Sequence, residues 1–112
     1  MQDIIDRLVR FTEERDWQQF HTPKNLAMAL SVESAELLEL FQWLSAEESQ
    51  NPDDERRGKI ADELADVFVY CLLLSRKLDI DILDAVRAKM TKNEAKYPAD
   101  LVRGSARKYS EY

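Results

Sequence analysis

Apolar side chains recur along the chain at the three- and four-residue spacing of an α-helix, broken by short polar stretches. Ile4, Ile5, Leu8, Val9 and Phe11 predict an amphipathic helix over roughly 2–15. A polar loop follows to Lys24, and Thr22-Pro23 is a start signal, with the cap followed by proline at the first helical position. The second helix is expected to run to about Leu44. Ser45-Ala46-Glu47-Glu48 has the spacing of a capping box and opens a short turn. A third helix is predicted from about Asp53 to Leu78. A fourth is capped by Asp79 or Asp81 and ends near Tyr97-Pro98, since the residue before proline avoids the helical region. The fold class is therefore all-α, a four-helix bundle-like subunit over residues 1–97. Residues 98–112 hold Gly104, Ser105 and little apolar material, which predicts a basic, loosely ordered C-terminal tail.

One segment does not fit a small monomeric bundle. Val67 to Leu74 is apolar around the whole helix, and such a helix must be covered on all sides. Four helices in a chain of this size can hardly enclose one of their own, so a homo-oligomer joined through its apolar helices is expected. That same run is far too short for a bilayer, which takes about 20 residues, so no membrane is involved. Cys71 lies inside it and reads as a buried small hydrophobe, not as a nucleophile.

Composition narrows the function. The chain has 112 residues with only 2 Gly and 3 Pro, little material for the tight turns of an all-β fold. Acidic residues among the apolar ones near the N-terminus do not resemble a signal peptide, and one cysteine allows no disulfide framework or zinc pattern. An intracellular, cytoplasmic protein is expected. The net charge of −6 argues against a nucleic-acid partner. Its distribution is uneven, with net −9 over the first 88 residues and net +3 over residues 89–112.

Four acids stand where core residues belong. Glu33 and Glu36 are neighbours on one helix face, together with Leu37, Leu40 and Leu44 within about 60° of Glu33. Glu63 and Asp66 share a face with Val67, Tyr70 and Leu74. A carboxylate on an apolar stripe must be paired, neutralised or bound to a cation, and neither stripe carries a basic residue near its acids. Facing oxygen ligands suit Mg²⁺ or Mn²⁺. A di-iron centre would use Glu-x-x-His pairs, and the lone histidine, His21, is in a loop.

Other residues allow two meanings each. Trp43 lies about 20° from Glu36 in helical projection, able either to stack on a nucleobase or to pack in the core. Trp17, Phe20 and His21 crowd a polar loop, as a ligand wall or as a hydrophobic staple on the bundle. Tyr70 follows Asp66 by one turn and can orient a ligand or pack as a core tyrosine. Lys89, Asn93, Lys96 and Tyr97 make one polar helix face, suited to phosphate oxygens but equally to solvent.

Glu33-x-x-Glu36, 26 intervening residues and Glu63-x-x-Asp66 resemble the metal motif of the MazG-type all-α nucleoside triphosphate pyrophosphohydrolases. The segment from Arg15 to Pro23, Phe41-Gln42-Trp43, Tyr70, Lys89-Met90, Lys92-Asn93, Tyr97-Pro98 and Arg107-Lys108-Tyr109 are similar to the family's dCTP pyrophosphatase branch. The resemblance implies a tetramer built from dimers, hydrolysing dCTP or modified deoxycytidine triphosphates to the monophosphate and pyrophosphate. It implies Glu33, Glu36, Glu63 and Asp66 as magnesium ligands. Trp17, Gln18, Gln19, Phe20, His21, Trp43 and Tyr70 would contact the nucleotide, and Lys89, Lys92, Asn93 and Tyr97 its phosphate side. Leu8 replaces a histidine of the vertebrate members, which extends the expected substrates to dATP and other deoxynucleotides. In the expected reaction water attacks the α-phosphorus, with Glu36 and Glu63 as catalytic acids and Glu36 as proton acceptor. The alternative is a non-catalytic helical module that binds nucleotides or protein partners through these faces.

Overall fold

A computed structural model describes residues 1–105, and its helices follow the spacing of the apolar positions. They are α1 (Gln2–Glu14), α2 (Pro23–Glu39), α3 (Ala46–Ser49), α4 (Asp54–Lys77), α5 (Ile82–Lys96) and α6 (Ala99–Val102), with a 3-10 turn at Gln18–Phe20. Among the described residues there is no strand, and no helix is long and apolar enough to cross a membrane. The chain divides into two compact units, Met1–Asp79 and Ile80–Tyr112.

Side-chain caps set most of the starts. Thr22, Ser45, Asp53 and Asp81 each accept a hydrogen bond from the backbone N–H three residues on, and so satisfy donors that the first helical turn leaves open. At Ser45 the capping box is complete, because the Glu48 carboxylate also accepts from the Ser45 N–H at 2.9 Å. Of the two candidate caps for α5, the structure uses Asp81. Asp79 instead adopts φ 54°, in the left-handed region, and ends α4. Basic Arg76 and Lys77 in the last turn of α4 complement the negative end of that helix.

The second helix is shorter than expected. It stops at Glu39, and residues 40–44 form successive turns in place of helix. Leu40 and Phe41 donate to carbonyls only three residues back, which tightens the last turn. The Arg56 guanidinium, reaching over from α4, donates to the Leu40 carbonyl and satisfies a group that a continuing helix would have used. Apolar Leu40, Phe41 and Leu44 prolong the periodicity without prolonging the helix.

In the first unit α4 is central, with α2 and α1 both packed on it. Leu26 and Leu72 are buried to 1% exposure, and Thr12 and Ser75 are buried beside them. Each hydroxyl is satisfied within its own helix, Thr12 donating to Val9 O and Ser75 to Leu72 O, both at 2.9 Å. Met28, Val32, Leu38, Leu64 and Phe68 remain exposed on α2 and α4. The second unit contains α5 and the one-turn helix α6 at the start of the expected tail. Residues 106–112, including Arg107, Lys108 and Tyr109, lie outside the described residues.

With so few fully buried side chains, each carries a large share of the packing. Leu72→Ala is expected to destabilise the protein by about 2–5 kcal/mol in a denaturant titration. A loss below about 1 kcal/mol would show that Leu72 is not a core residue.

Candidate metal centre and adjoining cavity

The pairing of α2 with α4 brings carboxylates from both helices together. Glu33 and Glu36, one turn apart on α2, meet Glu63 of α4, with one oxygen of each lying within 4.8 Å of the others. Glu33 and Glu63 are half-buried, Glu36 is exposed, and the Oε2 atoms of Glu33 and Glu63 are buried without a hydrogen-bond partner among the described residues. Among the described residues none of the four acids forms an ion pair with a basic side chain. Asp66 stands outside the three-acid cluster, on the wall of a neighbouring cavity that Glu33 also lines.

The electrostatics follow from that crowding. Burial first, then the neighbouring Glu63, Glu36 and Asp66, push the Glu33 carboxyl up from 4.5 to about 7. Burial and the charges of Glu33 and Asp66 push the Tyr70 phenol up as well. Partial burial, followed by the Lys77 charge, moves the His21 imidazole below its ordinary range. A carboxylate held against its own kind ionises less readily, and a positive charge in place of the proton relieves the repulsion. An all-oxygen donor set with two orphaned buried oxygens fits a hard divalent cation.

The cavity encloses about 320 Å³, near the lower end of the range for small-molecule sites. Phe11, Trp17 and Tyr70 give it aromatic walls, Leu8, Val69 and Leu73 apolar ones, and His21 and Thr12 polar edges. Trp17 and His21 come from the loop between α1 and α2, and Tyr70 lies one turn beyond Asp66 on α4. Phe11, Thr12, Val69 and Leu73 were not among the sequence candidates. Their signal was present, however, because Val69, Tyr70 and Leu73 continue the helical face of Asp66 at i+3, i+4 and i+7.

Several candidates stand elsewhere. Trp43 lies beyond the end of α2, 87% exposed. The helical projection that aligned it with Glu36 is therefore corrected by the termination at Glu39. Gln18, Gln19 and Phe20 form the exposed 3-10 turn, with Gln18 facing a second hollow of about 220 Å³ that shares His21, Thr12 and Leu73 with the first. Lys89, Lys92 and Asn93 are exposed on α5, and Tyr97 caps its end. All four belong to the second unit.

An all-α fold that gathers carboxylates beside a cavity with aromatic walls defines the class of protein. The chain belongs to the MazG-like family, whose model matches residues 28–112. It is 42% identical over 99% of its length to dCTP pyrophosphatase 1 of Homo sapiens, and to the same degree to that of Mus musculus. It spans 66% of the length of these relatives. A pyrophosphatase from Archaeoglobus fulgidus has the same fold, with a TM-score of 0.83 and 45% identity over 88% of this chain and 92% of that one.

The raised Glu33 carboxyl has a measurable consequence. Its folded form holds a proton more tightly than the unfolded chain does. Stability of the metal-free protein is therefore greatest below about pH 4.5 on this account, and falls as the pH rises to about 7. A divalent cation competes with that proton, so the gain in Tm on adding Mg²⁺ should be larger at pH 8 than at pH 5.5. An equal gain at both values, or none, would remove the cluster as the cation site.

Proposed function

We propose that the chain is a magnesium-dependent nucleoside triphosphate pyrophosphohydrolase that converts dCTP to dCMP and pyrophosphate, clearing unwanted deoxynucleotides in the cytoplasm. The observation that carries this is the cluster of Glu33, Glu36 and Glu63, without basic partners among the described residues, beside a cavity with aromatic walls. The name dCTP pyrophosphatase 1, shared by the human and mouse relatives, supports the substrate class and the reaction.

Glu33, Glu36, Glu63 and Asp66 would hold the magnesium, and Mn²⁺ would fit the same oxygen donors. When bound, the metal supplies charge neutralisation for the triphosphate and a more acidic water. The chain's own residues then divide the remaining tasks. Trp17 and Tyr70 hold the base and sugar against Phe11 and Leu8, where stacking contributes about 1–3 kcal/mol per base. Gln18, Gln19, Phe20 and His21 border the same ligand, and Trp43 is the further aromatic residue assigned to it by the family resemblance. Lys89, Lys92, Asn93 and Tyr97, in the second unit, carry donors of the kind that phosphate oxygens accept from. Water attacks the α-phosphorus, its proton passes to a Glu36 carboxylate oxygen, and the bond to the α–β bridging oxygen breaks as pyrophosphate leaves. The apolar walls at Leu8, Val69 and Leu73 offer no hydrogen-bonding group, so dATP and 5-substituted deoxycytidine triphosphates are expected alongside dCTP.

The exposed apolar side chains support the reading that the protein is an oligomer. Met28, Val32, Leu38, Leu64 and Phe68 are left open by a single chain, and exposed apolar surface of that kind marks an association site. Association into a dimer, and of two dimers into a tetramer, would cover it. Sedimentation equilibrium is expected to give a tetramer, and Phe68→Asp a smaller species. A wild-type monomer would refute the assembly.

Pyrophosphate release should be measured over a panel of deoxynucleoside and nucleoside triphosphates, with and without Mg²⁺. Glu63→Gln is expected to fold, because it removes charge from a crowded cluster, yet to lower kcat/KM for dCTP by about 10²-fold or more. Full activity in that variant would refute the assignment of the acids. No magnesium-dependent turnover of any nucleotide by the wild type would favour a non-catalytic binding module.

A further inference from the structure

Helix α1 ends in a way that involves the cavity wall directly. The Asp16 N–H donates to the Glu13 carbonyl and the Trp17 N–H to the Thr12 carbonyl, both at 3.0 Å, and Asp16 has φ 54°. This bond pair characterises a helix-ending motif whose left-handed residue is most often glycine. Here the position is held by a residue with a Cβ, for which left-handed backbone is disfavoured. The side chain here makes a contact that glycine could not.

Gln19 is the partner in that contact. Its Nε2 donates both to Asp16 Oδ2 and to the Asp16 carbonyl, each at 2.9 Å. Glycine at position 16 would keep the second bond and lose the first. Gln19 lies in the 3-10 turn that begins immediately after Trp17, and the Phe20 N–H closes that turn on the Trp17 carbonyl at 2.9 Å. The carboxylate therefore ties down the backbone on the far side of Trp17, while the motif's own bonds fix the near side.

The indole is held in the same place by side-chain contacts. Trp17 meets the Phe11 ring edge-to-face at 5.5 Å, the apolar contact across the helix end that often accompanies this motif. The Arg15 guanidinium sits 3.8 Å from the centre of the Phe11 ring and donates to the Phe11 carbonyl at 3.2 Å. Trp17 is nevertheless 44% exposed. Its orientation therefore depends heavily on the turn that carries it.

We propose that Asp16 is a positioning residue, which seats Trp17 against the cavity beside the acids through the left-handed turn and its bond to Gln19, and so sets the affinity for the nucleotide. This rests on the nucleotide-binding role proposed for the cavity. The effect belongs to binding, because Asp16 touches none of the carboxylates that would face the reacting phosphate.

Three forms of residue 16 separate positioning from helix termination. Asp16→Gly suits the backbone but lacks the carboxylate, whereas Asp16→Asn tolerates the left-handed region and keeps an oxygen for Gln19. Asp16→Gly is expected to be at least as thermostable as the wild type, with KM for dCTP raised several-fold and kcat within about twofold. Asp16→Asn should restore KM. In a Trp43→Phe background, acrylamide quenching of Trp17 without nucleotide should increase for Asp16→Gly and return for Asp16→Asn. Unchanged KM and quenching in Asp16→Gly would overturn the proposal, as would an asparagine variant that behaves like the glycine one. If the quenching changes as expected but the wild type hydrolyses no nucleotide, the seating of Trp17 stands and the function assigned to the cavity falls.

Discussion

Like charges brought together in a half-buried place repel unless a proton or a cation intervenes, and the first unit is arranged around that condition. Glu33, Glu36 and Glu63 are presented by two helices packed on each other, so separating the acids would mean separating the helices. Two of their oxygens are buried without a donor among the described residues, and the repulsion and burial together hold a proton on Glu33 to about neutral pH. Buried polar atoms are normally satisfied by the protein itself, and orphaned ones mark places where something else completes the structure. The fold thus accepts a local electrostatic cost that a divalent cation would relieve.

The remaining features of the site depend on α4. Its apolar run supplies Leu72 to the core, and its neighbouring face supplies Asp66, Val69, Tyr70 and Leu73 to the cavity. One helix therefore connects the packing, the carboxylate cluster and the cavity wall. The opposite wall comes from α1 and the loop after it, where the helix end itself places Trp17 on Phe11. Aromatic groups on a polar loop would ordinarily be mobile. Here a left-handed turn, a short 3-10 turn and a carboxylate–amide bond restrict them.

The small buried core bears on how the protein exists in solution. Leucines at positions 26 and 72 are enclosed by the chain, whereas apolar side chains at 28, 32, 64 and 68 are open. A chain of this length covers only part of its apolar surface by itself. Partner copies on α2 and α4 would supply the missing burial and would also constrain the helix pair that carries the acids. Association and cation binding would then act on the same two helices.

Much of this was legible in the sequence because it depends on local rules. Helical periodicity and capping residues located the helices, with Thr22, Ser45, Asp53 and Asp81 serving as the caps. The acids at 33, 36 and 63 were recognisable from their positions on apolar stripes without basic neighbours. Other features required the tertiary structure. Periodicity carried α2 to Leu44, but a guanidinium from α4 takes the Leu40 carbonyl and the helix stops at Glu39, which moves Trp43 off the face it shared with Glu36. Asp66, on the same stripe as Glu63, stands at the cavity and outside the carboxylate cluster, because the crossing of two helices decides which oxygens meet. Local sequence determined which residues became helical and which faces were apolar. Only packing determined where a helix stopped and which side chains faced each other, since both depend on groups far apart in the chain.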